Sequence, residues 1–138
     1  MALVLKQYYL ACLSHASYLV GDTASGRAVV VDPQRDVSQY LADASDLGLR
    51  IELIIESHFH ADFLSGHLEL ASATGARIGY GSAAAGLTDF PIEALTDGQQ
   101  LDLGGVRLEV LETPGHTPES ICIVVYERET TEPTAVLT

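Results

Sequence analysis

The segment Ser57-His58-Phe59-His60-Ala61-Asp62-Phe63-Leu64-Ser65-Gly66-His67 (SHFHADFLSGH, residues 57–67) gathers three of the chain's five histidines and an aspartate. It follows the apolar run RIELIIE at residues 50–56, which reads as a buried strand. Imidazoles and carboxylates are poor core fillers, so this crowding marks either a solvated turn or a metal site. In an extended or turning segment, residues two apart point the same way, and His58 and His60 can converge on one point. Asp62 continues that spacing where a helix is expected to begin, and it serves equally well as the N-cap of that helix. An HxHxD pattern is expected roughly 0.01 times by chance in a chain of this composition, which makes coincidence a weak rival.

A fourth imidazole extends the pattern. His116 sits in Thr113-Pro114-Gly115-His116-Thr117-Pro118, just past another strand. Glycine lets that turn close tightly and the prolines stiffen it. Imidazole nitrogen and carboxylate oxygen suit borderline divalent metals, so His58, His60, Asp62 and His116 are the candidate metal ligands. The other two histidines read differently. His67 lies one helical turn beyond Phe63 and is expected to be a packed or surface residue, and His15 is expected to be a structural residue at a strand start.

Composition narrows the partners. The 138 residues carry a net charge of −12 with only seven Lys and Arg, which argues against a nucleic-acid partner and against an anionic membrane surface. Cys12 and Cys122 lie far apart, as expected of small buried hydrophobes in a reducing cytoplasm. The N-terminus lacks a basic n-region and a small-residue cleavage site, so it reads as a strand rather than a signal peptide. No apolar run reaches transmembrane length.

The remaining chain mixes strands and helices. Strands are expected over residues 3–13, 16–21 and 27–31, with turn residues Gly21-Asp22 and Ser25-Gly26 between the last two. Val37, Tyr40, Leu41, Ala44 and Leu47 recur at helical spacing up to Gly48. A second helix is expected from Asp62, with Phe63, Leu64, Leu68 and Ala71 on one side and Gly75 as its stop. Further strands fall at residues 77–80, 100–103, 106–111 and 121–126, with a Gly104-Gly105 turn, and another begins at residue 134. The runs at 28–31, 51–55 and 121–125 are nearly continuously apolar, as for strands covered on both faces. This is an α/β or α+β layered domain, read as a single domain over residues 1–138.

Four segments, LACLSHASYLVGD, VVVDPQRD, SHFHADFLSGHLELA and LETPGHTPESICIVV, together resemble the metallo-β-lactamase fold over nearly the whole chain. Within it they are most similar to persulfide dioxygenases and related rhodanese-linked proteins. The resemblance implies an αββα sandwich of which this chain is the N-terminal half. It implies a mononuclear non-haem Fe(II), with Zn(II) the alternative, held by His58, His116 and an aspartate beyond residue 138. His60 and Asp62 would then be neighbouring or alternative ligands, with Asp62 as the catalytic carboxylate. The two-metal hydrolases of this fold read HxHxDH, and Phe63 replaces their last histidine. The implied substrate is a low-molecular-weight thiol persulfide such as glutathione persulfide, oxidised to sulfite. A glyoxalase II-like Zn-dependent thioester hydrolase and a non-catalytic metal-binding or assembly fragment are the alternatives. The chain alone is expected to be inactive and to pair as a homodimer, because half a sandwich leaves sheet faces and edges bare.

Overall fold

The computed structural model describes residues 3–10, 15–57, 66–84, 91–114, 119–127 and 130–137. Among these, ten strands and two α-helices form three layers. The first sheet takes β1 (Leu3–Leu10), β2 (His15–Asp22), β3 (Arg27–Val31), β4 (Arg50–Ile55), β5 (Arg77–Gly81) and β6 (Glu93–Leu95), side by side in chain order. Its first three strands are antiparallel, and from β3 to β6 the pairing is parallel. Parallel neighbours need a crossover, and α1 (Ser38–Asp46) and α2 (His67–Thr74) supply two of them. The second sheet runs β10 (Ala135–Leu137), β9 (Ile121–Glu127), β8 (Val106–Glu112), β7 (Gln100–Asp102), antiparallel throughout.

The first sheet is buried on both faces, and the alternation along its central strands shows how. Val29 and Val31 of β3, with Leu53 and Ile55 of β4, face the second sheet and meet Leu108, Val110, Ile123 and Val125. Ala28, Val30, Ile51 and Ile54 face the helices and meet Tyr40, Ala44 and Leu70. Ile51 and Leu53 would share a face in a regular strand. They do not here, because Ala28 pairs with Ile51 while Val29 pairs with Leu53, leaving Glu52 as an extra residue in a bulge. Glu52 is tied at that bulge to Arg27 at 3.1 Å and Arg50 at 2.8 Å.

One sequence expectation changes. The second helix packs through Leu70, fully buried, while Leu68 is exposed. Among the described residues it begins at His67; the expected start at Asp62, with Phe63 and Leu64, lies outside the described residues. In β9, Ile121, Ile123 and Val125 point into the core, and on the other face Val124 is buried while Cys122 is half-buried. Both described helices belong to the first sheet. The short strand β6 has no counterpart in the sequence reading, since three residues show no period. The end of α1 at Gly48 (φ 68°), the stop at Gly75 (φ 74°) and the Gly104 turn (φ 101°) are as expected. Among the described residues no helix is long and apolar enough to cross a membrane.

The sheets are stitched at the end where β2 meets β3. Asp22, almost fully buried, accepts hydrogen bonds from Ala24 N–H (3.0 Å) and from Gly105 N–H (2.7 Å) in the β7–β8 turn of the other sheet. Asp22→Ala removes the acceptor from a buried amide and is expected to cost about 1–3 kcal/mol in urea unfolding with an unchanged m-value.

Candidate metal centre

His58, His60, Asp62 and His116 lie outside the described residues, as do His15's side chain and Cys12. The structure instead shows what holds both ends of the segments that carry the four candidate ligands. Among the described residues no group of three or more His, Cys, Asp or Glu side chains gathers as a metal cluster.

Residues 58–65 join Ser57, just past β4, to Gly66, just before α2. Both ends are tied to one turn. The buried Asp32, immediately after β3, accepts from Ser57 N–H at 2.8 Å and from the Ser57 hydroxyl at 2.6 Å. The next residue, Pro33, offers its carbonyl to Gly66 N–H at 3.1 Å. Glycine is required there, since a Cβ on Gly66 would collide with the Gln34 carbonyl oxygen. Asp32 itself holds φ 52°, the left-handed region that Asp tolerates better than most residues. Its own N–H donates to Ile55 O at 2.8 Å, which fixes that turn to β4.

The segment carrying His116 is bounded just as closely. Thr113 N–H donates to Ser120 O at 2.9 Å, closing the base between β8 and β9. Ile121 N–H then donates to Ser57 O at 2.8 Å. That bond joins the first residue of β9, in one sheet, to the residue before His58, in the other. Gly81 lets β5 approach the same place, for a Cβ there would strike the Glu119 carbonyl oxygen. Thus the anchors of both histidine-bearing segments share one hydrogen bond at the carboxyl ends of β3, β4 and β5, where sheets with parallel strands place ligands.

This end of the molecule is acidic and dry. Glu56, Asp32 and Glu119 are buried within it. Burial, then the negative charges of Glu56, Asp32 and Glu119, push the Tyr80 phenol well above its ordinary value. Burial likewise raises Tyr40, whose oxygen accepts from Gln34 N–H at 2.7 Å and shares a 2.6 Å hydrogen bond with Ser17. Both phenols therefore stay neutral at physiological pH.

His67, expected to be packed or exposed, is mostly buried, and its Nδ1 lies 2.8 Å from Glu56 Oε1. Sequence reading did not pair these residues or assign Asp32 its role. The available signals were a glutamate closing an otherwise apolar strand and an Asp-Pro step directly after RAVVV.

The Metallo-beta-lactamase superfamily pattern matches residues 10–130. The chain is 30% identical over 118 residues to a hydroxyacylglutathione hydrolase of Hyphomonas neptunium, covering 85% of this chain and 46% of that protein. It is 33% identical over 113 residues to a mitochondrial persulfide dioxygenase of Bos taurus, covering 80% of this chain and 43% of that protein. Among solved structures, a metallo-beta-lactamase from Staphylococcus aureus subsp. aureus COL superposes with a TM-score of 0.89 at 36% identity, over 99% of this chain and 42% of that one. The chain thus spans less than half the length of these relatives.

Ser57→Ala removes the hydroxyl donor to the buried Asp32 carboxylate. It is expected to lower stability by about 1–3 kcal/mol while leaving the fold intact by circular dichroism. A stability within 0.3 kcal/mol or so of the unmodified chain would show that the Asp32 clamp contributes nothing.

Proposed function

This chain belongs to the metallo-β-lactamase superfamily, and on that premise we propose that it supplies the HxHxD half of a persulfide dioxygenase, an enzyme that oxidises a thiol persulfide to sulfite and free thiol. The superfamily implies metal ions. The donor chemistry fits one: His58, His60 and His116 offer imidazole nitrogens and Asp62 a carboxylate, on two segments whose anchors share the Ile121–Ser57 hydrogen bond. His58 and His116 are the proposed ligands of a mononuclear Fe(II), with a third, anionic ligand beyond residue 138. His60 and Asp62 are proposed as adjacent polar groups, Asp62 holding a proton at the reacting centre.

The observation that carries this reading is Phe63. A two-metal hydrolase of this fold has a histidine where Phe63 stands, so the chain lacks one ligand for a second ion. A bound Fe(II), which His58 and His116 would help to hold, would supply the redox chemistry with O₂ and a sulfur substrate. The protein's part is to orient those ligands from fixed strand ends and to keep water from them. The second reading is a Zn(II)-dependent thioester hydrolase, supported by the 30% identity to a hydroxyacylglutathione hydrolase. The apo-enzyme encoded by the complete reading frame, reconstituted with each metal, separates the two. O₂ uptake with glutathione persulfide in the presence of Fe(II) is expected. Thioester hydrolysis with Zn(II) and no O₂ uptake with Fe(II) would establish the hydrolase instead.

Metal binding by these residues has its own test. In calorimetric titration with Zn(II), His116→Ala is expected to weaken binding at least about tenfold. An unchanged binding curve would remove His116 from the site.

The homodimer is a further part of the proposal. Among the described residues β10 pairs with β9 alone, and Val136 on it is 54% exposed. Such an edge offers unpaired backbone groups to another strand. Two copies joined there would form an isologous contact. Sedimentation equilibrium is expected to show a dimer at micromolar concentration; a monomer would contradict it.

A further inference from the structure

We propose that the edge strand β1 is where a second copy of this chain docks, the two copies pairing antiparallel about Gln7. This rests on the homodimer proposed above and assigns its stronger contact to β1 rather than to β10. Among the described residues the edge strands are β1 and β6 in the first sheet, β10 and β7 in the second. An open edge presents unpaired N–H and C=O groups along its length, so its length and its charge decide how well it accepts another strand. β6 and β7 span 3 residues each and carry Glu93 and Asp102, while β10 is a 3-residue strand of Ala135, Val136 and Leu137. β1 spans 8 residues, LVLKQYYL, with no Asp or Glu among them. In a chain with 19 acidic residues and a net charge of −12, two copies repel, and a long strand free of carboxylates is where they approach at least cost.

The two faces of β1 differ. Lys6 and Tyr8 point to the helix side, where both reach Asp43 of α1: the Tyr8 hydroxyl donates to it at 2.6 Å and the Lys6 ammonium lies 3.4 Å from it. Leu3, Leu5, Gln7 and Tyr9 alternate onto the side of the second sheet. Leu3 packs against the core there, but Leu5 is 38% and Tyr9 61% exposed. A lysine on an edge strand usually guards it against pairing, and here the one lysine is drawn aside onto Asp43.

The strand is self-complementary in one register. Two-fold antiparallel pairing sets residues of the same face opposite each other, and axes at Lys6 and at Gln7 give the longest overlap. An axis at Lys6 would set Lys6 against Lys6, and like charges directly opposite are destabilising. An axis at Gln7 sets Leu5 of each copy against Tyr9 of the other, Lys6 against Tyr8, and the two Gln7 side chains together. The apolar side chains that each copy leaves in water are then covered by the other copy.

Sedimentation equilibrium and disulfide trapping test this together. Gln7→Lys sets two ammonium groups across the axis, and the dimer is expected to weaken at least about fivefold with an unchanged circular dichroism spectrum. Val136→Lys, on β10, is expected to leave it dimeric. Gln7→Cys sets two thiols across the axis with Cα atoms about 4.5–5.5 Å apart, within disulfide reach, and mild oxidation is expected to link the copies. In Lys6→Cys the thiols stand diagonally, with Cα atoms more than about 7 Å apart, and linkage is expected to stay at the level of the unmodified chain. A dimer that Val136→Lys dissociates and Gln7→Lys leaves intact overturns the β1 contact and keeps the homodimer on β10. A monomeric unmodified chain overturns both. Linkage in Lys6→Cys but not in Gln7→Cys overturns the pairing about Gln7. Should Gln7→Lys not fold, Gln7→Cys decides: linkage above that of the unmodified chain upholds the contact, and none overturns it.

Discussion

Ser57 is bonded in three directions, and the functional end of the molecule depends on that. Its N–H and hydroxyl both donate to Asp32, and its carbonyl accepts from Ile121 N–H of the opposite sheet. A left-handed conformation at a non-glycine residue costs about 1–2 kcal/mol, and Asp32 carries it. Each hydrogen bond returns roughly 1 kcal/mol net, and the buried ones would cost more than that to leave unmade. The strained turn is therefore held by the contacts it makes possible. Moving Ser57 would release Asp32, detach β9 from β4 and leave the two histidine-bearing segments without a common reference.

That reference is rigid because the sheet behind it is enclosed. β3 and β4 present one set of side chains to the helices and another to the second sheet, and the bulge at Glu52 makes both sets fit. With apolar contacts on either side, these strands cannot shift register without turning core residues toward the wrong layer. Among the described residues, Ser17 is buried within β2 and Asp22 at its far end, and the other buried polar residues collect near the carboxyl ends of the parallel strands. Asp32, Glu56, Ser57 and Glu119 are all buried there, in a chain whose net charge is already −12. Asp32 accepts twice from Ser57 there, and Glu56 lies beside His67.

Much of this was legible in the sequence. Strand positions followed from apolar runs bounded by Gly, Asp and Pro, and α1 followed from Val37, Tyr40, Leu41, Ala44 and Leu47. The candidate ligands stood out because HxHxD is improbable by chance. What was not legible depends on pairing across distance. Nothing local says that Asp32 reaches Ser57, 25 residues on, or that Ile121 reaches back to Ser57. In α2 the sequence reading placed Leu68 on the buried side, but Leu70 and Ala71 pack inward and Leu68 is exposed, a choice between neighbouring apolar positions that the short helix leaves open. Glu56 and His67 read as a strand terminus and a packed or surface histidine, and only the fold brings them within 2.8 Å. The bulge that sorts Ile51 from Leu53 leaves no mark in a run of apolar residues.

The central claim is that two segments anchored on either side of one hydrogen bond deliver their histidines to one metal ion. Crystals of the chain grown with Zn(II) or Fe(II), measured at the metal's absorption edge, test it most directly. A single anomalous peak about 2.0–2.2 Å from a ring nitrogen of both His58 and His116 is the predicted result. A peak bound by one of these segments alone, with the other histidine turned away, would contradict it.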